Sequence, residues 1–273
     1  MTRTILITGC STGIGRDAAL TLTRRGWHVV ASARQPDDVA ALRADGLEAV
    51  RLDYEDSSSI ESGLAEALDL TGGRLDALFN NGAYAVPGPL EDIPAGAMQA
   101  IFQANFLGWH DLTRRVLPVM RAQGAGRIVN CSSILGLIGT KYRGAYVATK
   151  FALEGWSDVL RMEMREAGID VVLIEPGPIE TPFRANAIKQ FERWIDWEKS
   201  PRADEYRASL LDRLYKGSAG PSWPASAVTD VLVRALDARR PRARYYVTPH
   251  TKVAALGRRV LSARGIDRLV RRA

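Results

Sequence analysis

The chain has 273 residues, of which 46% are hydrophobic and 25% charged, a composition typical of a globular protein with one substantial core. It lacks the roughly 18 uninterrupted apolar residues of a membrane span and opens on a strand-like segment rather than a leader, so we expect a single cytoplasmic domain over 1–273. Two cysteines in no motif spacing and three scattered histidines argue against disulfides and any metal site.

Apolar runs rich in β-branched residues alternate along the chain with amphipathic stretches. The predicted strands are 4–8, 29–32, 49–52, 77–80, 127–131, 171–175 and 245–247. The predicted helices are 14–25, 58–70, 98–121, 145–165 and 225–238. This alternation predicts right-handed crossovers and one Rossmann-type, doubly wound α/β sheet of about seven parallel strands with helices on both faces.

A glycine-rich turn joins the first predicted strand to the first predicted helix. Its glycines permit a tight turn and close approach of the backbone to a pyrophosphate, and the helix N-terminus offers free N–H groups to the anion. The predicted contacts to a dinucleotide are Gly9, Ser11, Thr12, Gly13, Ile14 and Gly15.

The same turn also fits the G-x-S-x-G pattern of serine hydrolases, with Ser11 as nucleophile. Such a nucleophile normally follows several strands and needs a histidine later in the chain, where only His28, His110 and His250 occur. Only one strand precedes Ser11, so we regard a hydrolase as the poorer alternative.

The end of the second predicted strand bears on cofactor choice. Enzymes that prefer NAD commonly place an acid there for the ribose 2′-hydroxyl, whereas this chain has Arg34, which can pair with a 2′-phosphate. We therefore favour NADP(H) over NAD(H). The alternative is a plain surface arginine, which the nearby Asp37 and Asp38 support.

Tyr146 and Lys150 lie one helical turn apart on a predicted helix, and Ser133 lies just past the strand before it. All three can face the carboxyl ends of the strands, where open α/β sheets bind ligands. An ammonium beside a phenol favours phenolate, so Lys150 is expected to lower the pKa of Tyr146. Ser133 can hold a substrate oxygen while Tyr146 exchanges a proton with it.

In its glycine-rich turn and in the set Ser133, Tyr146 and Lys150, the chain resembles the short-chain dehydrogenase/reductase family, and the resemblance extends over nearly its whole length. Thr8 to Gly15 resembles the family's TGxxxGxG, and Tyr146 with Lys150 its YxxxK. Asn80 begins Asn-Asn-Gly-Ala, which resembles the family's NNAG with its last two residues exchanged.

The resemblance implies an NADP(H)-dependent oxidoreductase that interconverts a carbonyl and an alcohol. It implies the catalytic set Asn105, Ser133, Tyr146 and Lys150, with Asn105 anchoring a relay water. It adds cofactor contacts from Asp53 to adenine, from Asn80, from Tyr146 and Lys150, and from the segment after the sixth strand, at Pro176, Gly177, Ile179 and Thr181. A redox-sensing binding protein without turnover would not need the complete catalytic set.

An insertion over 182–224 is too long for a plain connection and is rich in aromatic residues. It is compatible either with a lid over a lipophilic pocket or with an amphipathic helix packed on the core. The region resembles hydroxysteroid and retinol dehydrogenase-like bacterial oxidoreductases, which implies an apolar carbonyl or alcohol as substrate. By the same resemblance we expect a homodimer or homotetramer.

The segment 239–273 carries eleven Lys/Arg against one acid, which leaves 26 bases and 30 acids in the first 238 residues. Such a segment is compatible with peripheral contact to an anionic membrane or an acidic partner face, or with a plain solvated end. Few aromatic residues accompany these charges, so nucleic acid is not an expected partner.

Overall fold

Seven parallel strands form one sheet in the computed structural model, which describes residues 2–217 and 220–272. In chain order they are β1 Thr4–Ile7, β2 His28–Ala33, β3 Glu48–Arg51, β4 Ala77–Asn80, β5 Gly126–Cys131, β6 Ile169–Glu175 and β7 Arg244–Tyr246. Their spatial order is β3-β2-β1-β4-β5-β6-β7, so the order reverses between β1 and β4. The predicted doubly wound parallel sheet is confirmed, and its switch point marks where ligands bind in such sheets.

Helices connect the strands and cover both faces of the sheet. They are α1 Gly13–Arg24, α2 Pro36–Ala44, α3 Ser57–Leu70, α4 Ala95–Phe102, α5 Gly108–Gln123, α6 Gly144–Glu163, α7 Phe183–Trp194, α8 Ala203–Glu205, α9 Leu211–Lys216, α10 Ser226–Asp237, α11 Pro249–Val260 and α12 Ala263–Arg272. The sequence did not predict α2, because only Val39 and Leu42 of its residues are buried and an apolar stripe is almost lacking. Pro36 in its first turn and the acids that follow favour a helix start.

The single helix predicted over 98–121 is wrong in detail. A π-helical turn, Gln103–Leu107, separates α4 from α5. Asn105 lies within this turn, fully buried. An amide at this position bonds to groups outside the helix, as described below, and a local widening of the helix lets it do so.

Two hydrophobic clusters organise the interior. The larger one is built on the sheet and its flanking helices. The smaller one lies where the insertion 182–224 meets the segment after β4 and the start of α6, with Phe191 and Tyr206 of the insertion fully buried in it. In the part of the chain that the structure describes, no helix is both long and apolar enough to cross a bilayer.

Candidate active site

The turn between β1 and α1 has the geometry that an anion site requires. Gly9 and Gly13 adopt positive φ angles of 67° and 58°. A Cβ at Gly15 would overlap the carbonyl oxygen of Gly9, so only glycine lets the turn close. Thr12 precedes α1 without capping it, which leaves the N–H groups of the first helical turn without a side-chain partner. These donors fit a pyrophosphate.

The residues predicted around this turn are differently exposed. Ser11 and Ile14 are half-buried, and Thr12 is exposed. Thr181, from the segment after β6, lies directly against Gly13. A Cβ added to Gly13 would be 3.0 Å from Cγ2 of Thr181. The turn and the distant Thr181 are therefore brought together at one end of the sheet.

The exchanged motif after β4 has a packing reason. A Cβ at Gly9 would lie 2.5 Å from the Cα of Gly82, so the two backbones touch. Asn81 reinforces the contact by donating from Nδ2 to the carbonyl oxygen of Thr8 at 3.1 Å. This contact requires glycine at position 9. A Cβ at Gly82 would lie 3.3 Å from the Cα of Gly9, a tight contact that also favours glycine in the third place of the motif.

Asn80 and Asp53 use their side chains within the protein. The Asn80 amide donates to Thr113 and to Asn130 and accepts from Tyr54, and it is fully buried. The Asp53 carboxylate accepts from the backbone N–H of Glu55 at 3.0 Å, which is a turn-forming bond. The Asn80 side chain is therefore fully used within the protein, whereas Asp53 is half-buried and uses only Oδ1 in this bond.

Arg34 lies at the end of β2, exposed, with Nη1 3.8 Å from Oε1 of Glu55. The sequence argument did not include this acid, which lies two residues past Asp53. A nearby carboxylate competes with a phosphate for the guanidinium, and the pair is weak because both groups face solvent.

Ser133, Tyr146 and Lys150 meet beyond the end of β5. Ser133 lies close enough to the Tyr146 hydroxyl to lower the pKa of the phenol, and Lys150 donates from Nζ to the carbonyl oxygen of Cys131 at 2.8 Å. The Lys150 ammonium lies 5.5 Å from the centroid of the Tyr146 ring and 4.5 Å from that of Trp109. The predicted face of α6 and the end of β5 thus form one cluster.

Burial dominates the protonation of this cluster. It raises the pKa of the Tyr146 phenol, against the smaller opposite effect of the nearby Ser133 hydroxyl. The expectation that Lys150 lowers this pKa is not met, because desolvation of the buried phenol has the larger effect. Burial also lowers the pKa of Lys150 to about 8, although Glu154 one turn further along α6 favours its charged form.

Asn105 links the cluster to the loop after β4. Its Oδ1 accepts from the N–H of Tyr84 at 3.0 Å, and its Nδ2 donates to the Tyr84 carbonyl oxygen at 2.8 Å and to Thr149 Oγ1 at 3.3 Å. The amide is therefore bonded across to two other segments and not to its own helix.

The segment after β6 closes the site from the other side. The carbonyl oxygen of Pro176 accepts from the N–H of Ile134, next to Ser133, at 2.7 Å. A Cβ at Gly177 would overlap Thr248 Oγ1, and Ile179 pairs as an isolated bridge with Trp223. The segment from Pro176 to Thr181 therefore extends from the neighbourhood of Ser133 to the glycine-rich turn between β1 and α1.

A buried ionic group below the cluster was not predicted. Arg244 contacts Glu154 and Asp158 of α6, each at 2.9 Å, and Glu175 of β6 at 3.3 Å. Glu154 also accepts from Ser132, the neighbour of Ser133. Burial raises the pKa of Glu175 to about 9, and neither of its oxygens makes a hydrogen bond. The position of Glu154, four residues after Lys150 on the same helix, is the one feature of the sequence that could have indicated this ionic group.

The insertion covers the cluster with aromatic side chains. Phe183 meets Tyr146 edge to face with ring centroids 5.4 Å apart, and Tyr146 is only 8% exposed. Tyr206 binds Asp92 through its hydroxyl at 2.8 Å. The two predicted alternatives were a lid and a helix packed on the core. Phe191 and Tyr206 are packed in the interior, whereas Phe183 contacts the candidate acid/base Tyr146 as a lid would.

The three histidines lie away from Ser11. His28 pairs with Glu48, His110 packs on Trp156, and His250 packs on Trp223. Within residues 2–217 and 220–272, none of them is hydrogen-bonded to Ser11, so the hydrolase alternative has no supporting geometry.

Comparisons with known proteins agree with this geometry. The family described as short chain dehydrogenase matches residues 3–192. The chain is 41% identical to the uncharacterized oxidoreductase YbbO of Escherichia coli K12, over 99% of this chain and 94% of that protein. It is 33% identical to retinol dehydrogenase 8 of Bos taurus, over 93% and 84%. A short-chain dehydrogenase structure from Streptomyces avermitilis superimposes with a TM-score of 0.78 and 28% identity, covering 94% and 92%.

Proposed function

This chain belongs to the short chain dehydrogenase family, and on that premise we propose that it moves a hydride between NADP(H) and a lipophilic alcohol or carbonyl, with Tyr146 as acid/base. The coarser part of this statement holds for the family as a whole: the protein is an oxidoreductase that acts on CH–OH groups with a nicotinamide cofactor. The observation that carries the finer part is the cluster itself: Tyr146 lies beside Ser133, and the Lys150 ammonium lies 5.5 Å from the centroid of the Tyr146 ring.

The bound nicotinamide supplies or accepts the hydride. Ser133 orients the substrate oxygen by a hydrogen bond, and Tyr146 gives that oxygen a proton in reduction or removes it in oxidation. Lys150, held by the Cys131 carbonyl, keeps positive charge beside the phenol. Asn105 positions the loop at Tyr84 against α6.

The proposal is tested by changing Tyr146→Phe, which removes the exchangeable proton and keeps the ring. We expect NADPH to bind as it does to wild type, by fluorescence titration, while oxidation of NADPH by a panel of apolar ketones and aldehydes falls about a thousandfold. Tyr245→Phe, at the far edge of the sheet, is the matched control and should keep wild-type rates. Turnover that survives in Tyr146→Phe contradicts the assignment, and failure of the wild type to bind either cofactor contradicts the whole proposal.

The preference for NADP(H) rests on Arg34, and its pairing with Glu55 allows a two-sided test. Arg34→Ala should weaken NADPH binding about tenfold and leave NADH binding almost unchanged, because only NADPH carries the 2′-phosphate. Glu55→Gln should instead strengthen NADPH binding by removing the competing carboxylate. Equal effects of Arg34→Ala on both cofactors would overturn the preference.

An apolar substrate is supported by the aromatic cover over Tyr146 and by the similarity to retinol dehydrogenase 8. Phe183 lies closest to the candidate acid/base, so Phe183→Ala should raise KM for bulky apolar carbonyls more than for small ones.

A homodimer is supported by exposed Phe151, Val159 and Met162 on the outer side of α6. Met162→Arg should then shift the sedimentation coefficient towards the monomer.

A further inference from the structure

An open cavity of about 820 Å³ lies at the β7 edge of the sheet, away from the candidate active site. It is bounded by α10, β7 and one side of α11, from Lys252 to Arg259. The charged side chains that line it are all cationic: Arg234, Arg242, Arg244, Lys252 and Arg259. A concave surface with one sign of charge concentrates its field on a ligand of opposite sign.

Most of these cations lack an internal counter-charge. Arg244 is neutralised by Glu154 and Asp158 behind the cavity. Arg234, Arg242, Lys252 and Arg259 make no ion pair with any carboxylate among residues 2–217 and 220–272. The cavity is therefore a site for anionic groups from outside the chain.

An apolar stripe adjoins the cavity on α11. Val253, Leu256 and Val260 are 55%, 63% and 68% exposed and recur at helical spacing. Lys252 and Arg259 of the cavity lie at the flanking positions of the same helical side. Ile266 and Leu269 of α12 pack around Gly257, one turn from Val253 and Val260. The three side chains of the stripe stay more than half exposed beside this contact.

A surface that needs both anions and an apolar medium matches the interface of a lipid bilayer. We propose that the cationic cavity and the α11 stripe form a docking surface for membranes that contain anionic phospholipids. The headgroup phosphates pair with Arg234, Arg242, Lys252 and Arg259, and the stripe enters the layer just below them. Nucleic acid offers the phosphates without the apolar layer, and this surface therefore fits it less well.

The docking surface is also close to the segment that closes the candidate site. Thr248, which immediately precedes α11, lies directly against Gly177. An apolar substrate dissolved in the bilayer would thus meet the protein near the end of β6. The docking proposal stands on the charges and exposure of the surface itself and holds whichever substrate the enzyme takes.

The test is co-sedimentation of the full chain with vesicles of phosphatidylcholine alone or with about 30% phosphatidylglycerol added. Wild type should bind the anionic vesicles and bind the neutral ones weakly. Lys252→Glu with Arg259→Glu should lower binding about thirtyfold or more, and Leu256→Asp about tenfold. The matched control, Arg43→Glu with Arg74→Glu, makes the same change in net charge far from β7 and should change binding less than about threefold.

Two outcomes would overturn the proposal. If both charge-reversed pairs lose binding equally, the vesicles respond to net charge and not to this surface. If the Lys252 and Arg259 variant binds vesicles normally but loses a dimer on gel filtration, the surface contacts a second copy of the chain. NADPH binding and thermal melting of each variant separate either result from misfolding.

Discussion

The floor and the cover of the candidate site are built in different ways. The floor consists of the turn after β1, the end of β5 and the start of α6, and its contacts are backbone against backbone or buried polar pairs. The cover is the insertion 182–224, whose contacts are made by side chains and include aromatic pairs such as Phe183 on Tyr146 and, within the insertion, Trp197 on Tyr206. Backbone contacts cannot relax without moving a strand, whereas rings can turn. The floor should therefore be intolerant of change and the cover adaptable.

The sharpest test places one added methyl group in the floor, at Gly15, and one against the cover, at Gly96 of α4. Gly15→Ala would force a Cβ into the Gly9 carbonyl oxygen, so we expect about a hundredfold loss of NADPH affinity and roughly 3 kcal/mol less stability to urea. Gly96→Ala places its Cβ 3.3 Å from the ring edge of Trp194 in the cover, which can shift. That variant should bind NADPH normally and lose less than about 1 kcal/mol. Equal losses of NADPH affinity and of stability in Gly15→Ala and Gly96→Ala would contradict the difference between a rigid floor and an adaptable cover.

A second test uses the buried acid beneath the floor. Glu175 keeps its proton in the folded protein up to about pH 9, whereas in the unfolded chain it loses it near 4.5. Its contribution to stability is therefore fully present below pH 4.5 and is lost as the pH rises towards 9. Glu175→Gln, which cannot ionise, should stabilise the protein at pH 8 by roughly 2 kcal/mol and flatten this slope in urea unfolding.

An acid of the cover supplies the control for this test. Glu192 is exposed on α7 and bonded only to Tyr215 in the described residues, so Glu192→Gln should leave the slope as in wild type. A slope that persists in Glu175→Gln would mean that another buried group causes it, with Glu154 the first to examine.

The charge of Lys150 gives a third test, in activity. Its ammonium is buried against the Cys131 carbonyl with a pKa of about 8, so kcat/KM should fall as the pH rises through about 8, close to tenfold per unit above it. Lys150→Arg keeps a charged group at high pH and should move the fall upward, even with a lower rate. A fall at the same pH in that variant would assign it to another residue.

The smallest effect is expected in the cover. Tyr206→Phe removes the hydroxyl that donates to Asp92, which should cost about 1 kcal/mol of stability and raise KM a few fold with kcat almost unchanged. Tyr215→Phe removes an exposed hydroxyl of the same insertion and should change neither value. A large loss of kcat in Tyr206→Phe would show that the cover is as intolerant as the floor.

Much of the floor was predictable because its signals are local. The turn from Gly9 to Gly15 and the pair Tyr146 and Lys150 each lie within one short segment, and the alternation of strands and helices places both at one edge of the sheet. The roles expected for Asp53 and the Asn80 side chain followed only from the motif. The Asn80 hydrogen bonds depend on Tyr54 and Thr113, 26 and 33 residues away, which no local pattern connects to it. The Asp53 bond to Glu55 is a local turn.

The sequence by itself determined the fold class, the family, the phosphate turn and the order of the catalytic candidates, since hydrophobic period and glycine spacing are properties of neighbouring residues. Only the tertiary structure decided the pairing of Arg34 with Glu55, the π turn at Asn105, the pKa values and the group around Arg244. These depend on desolvation and on contacts between residues up to 90 positions apart, as between Glu154 and Arg244. Burial and long-range proximity arise only when the chain closes on itself.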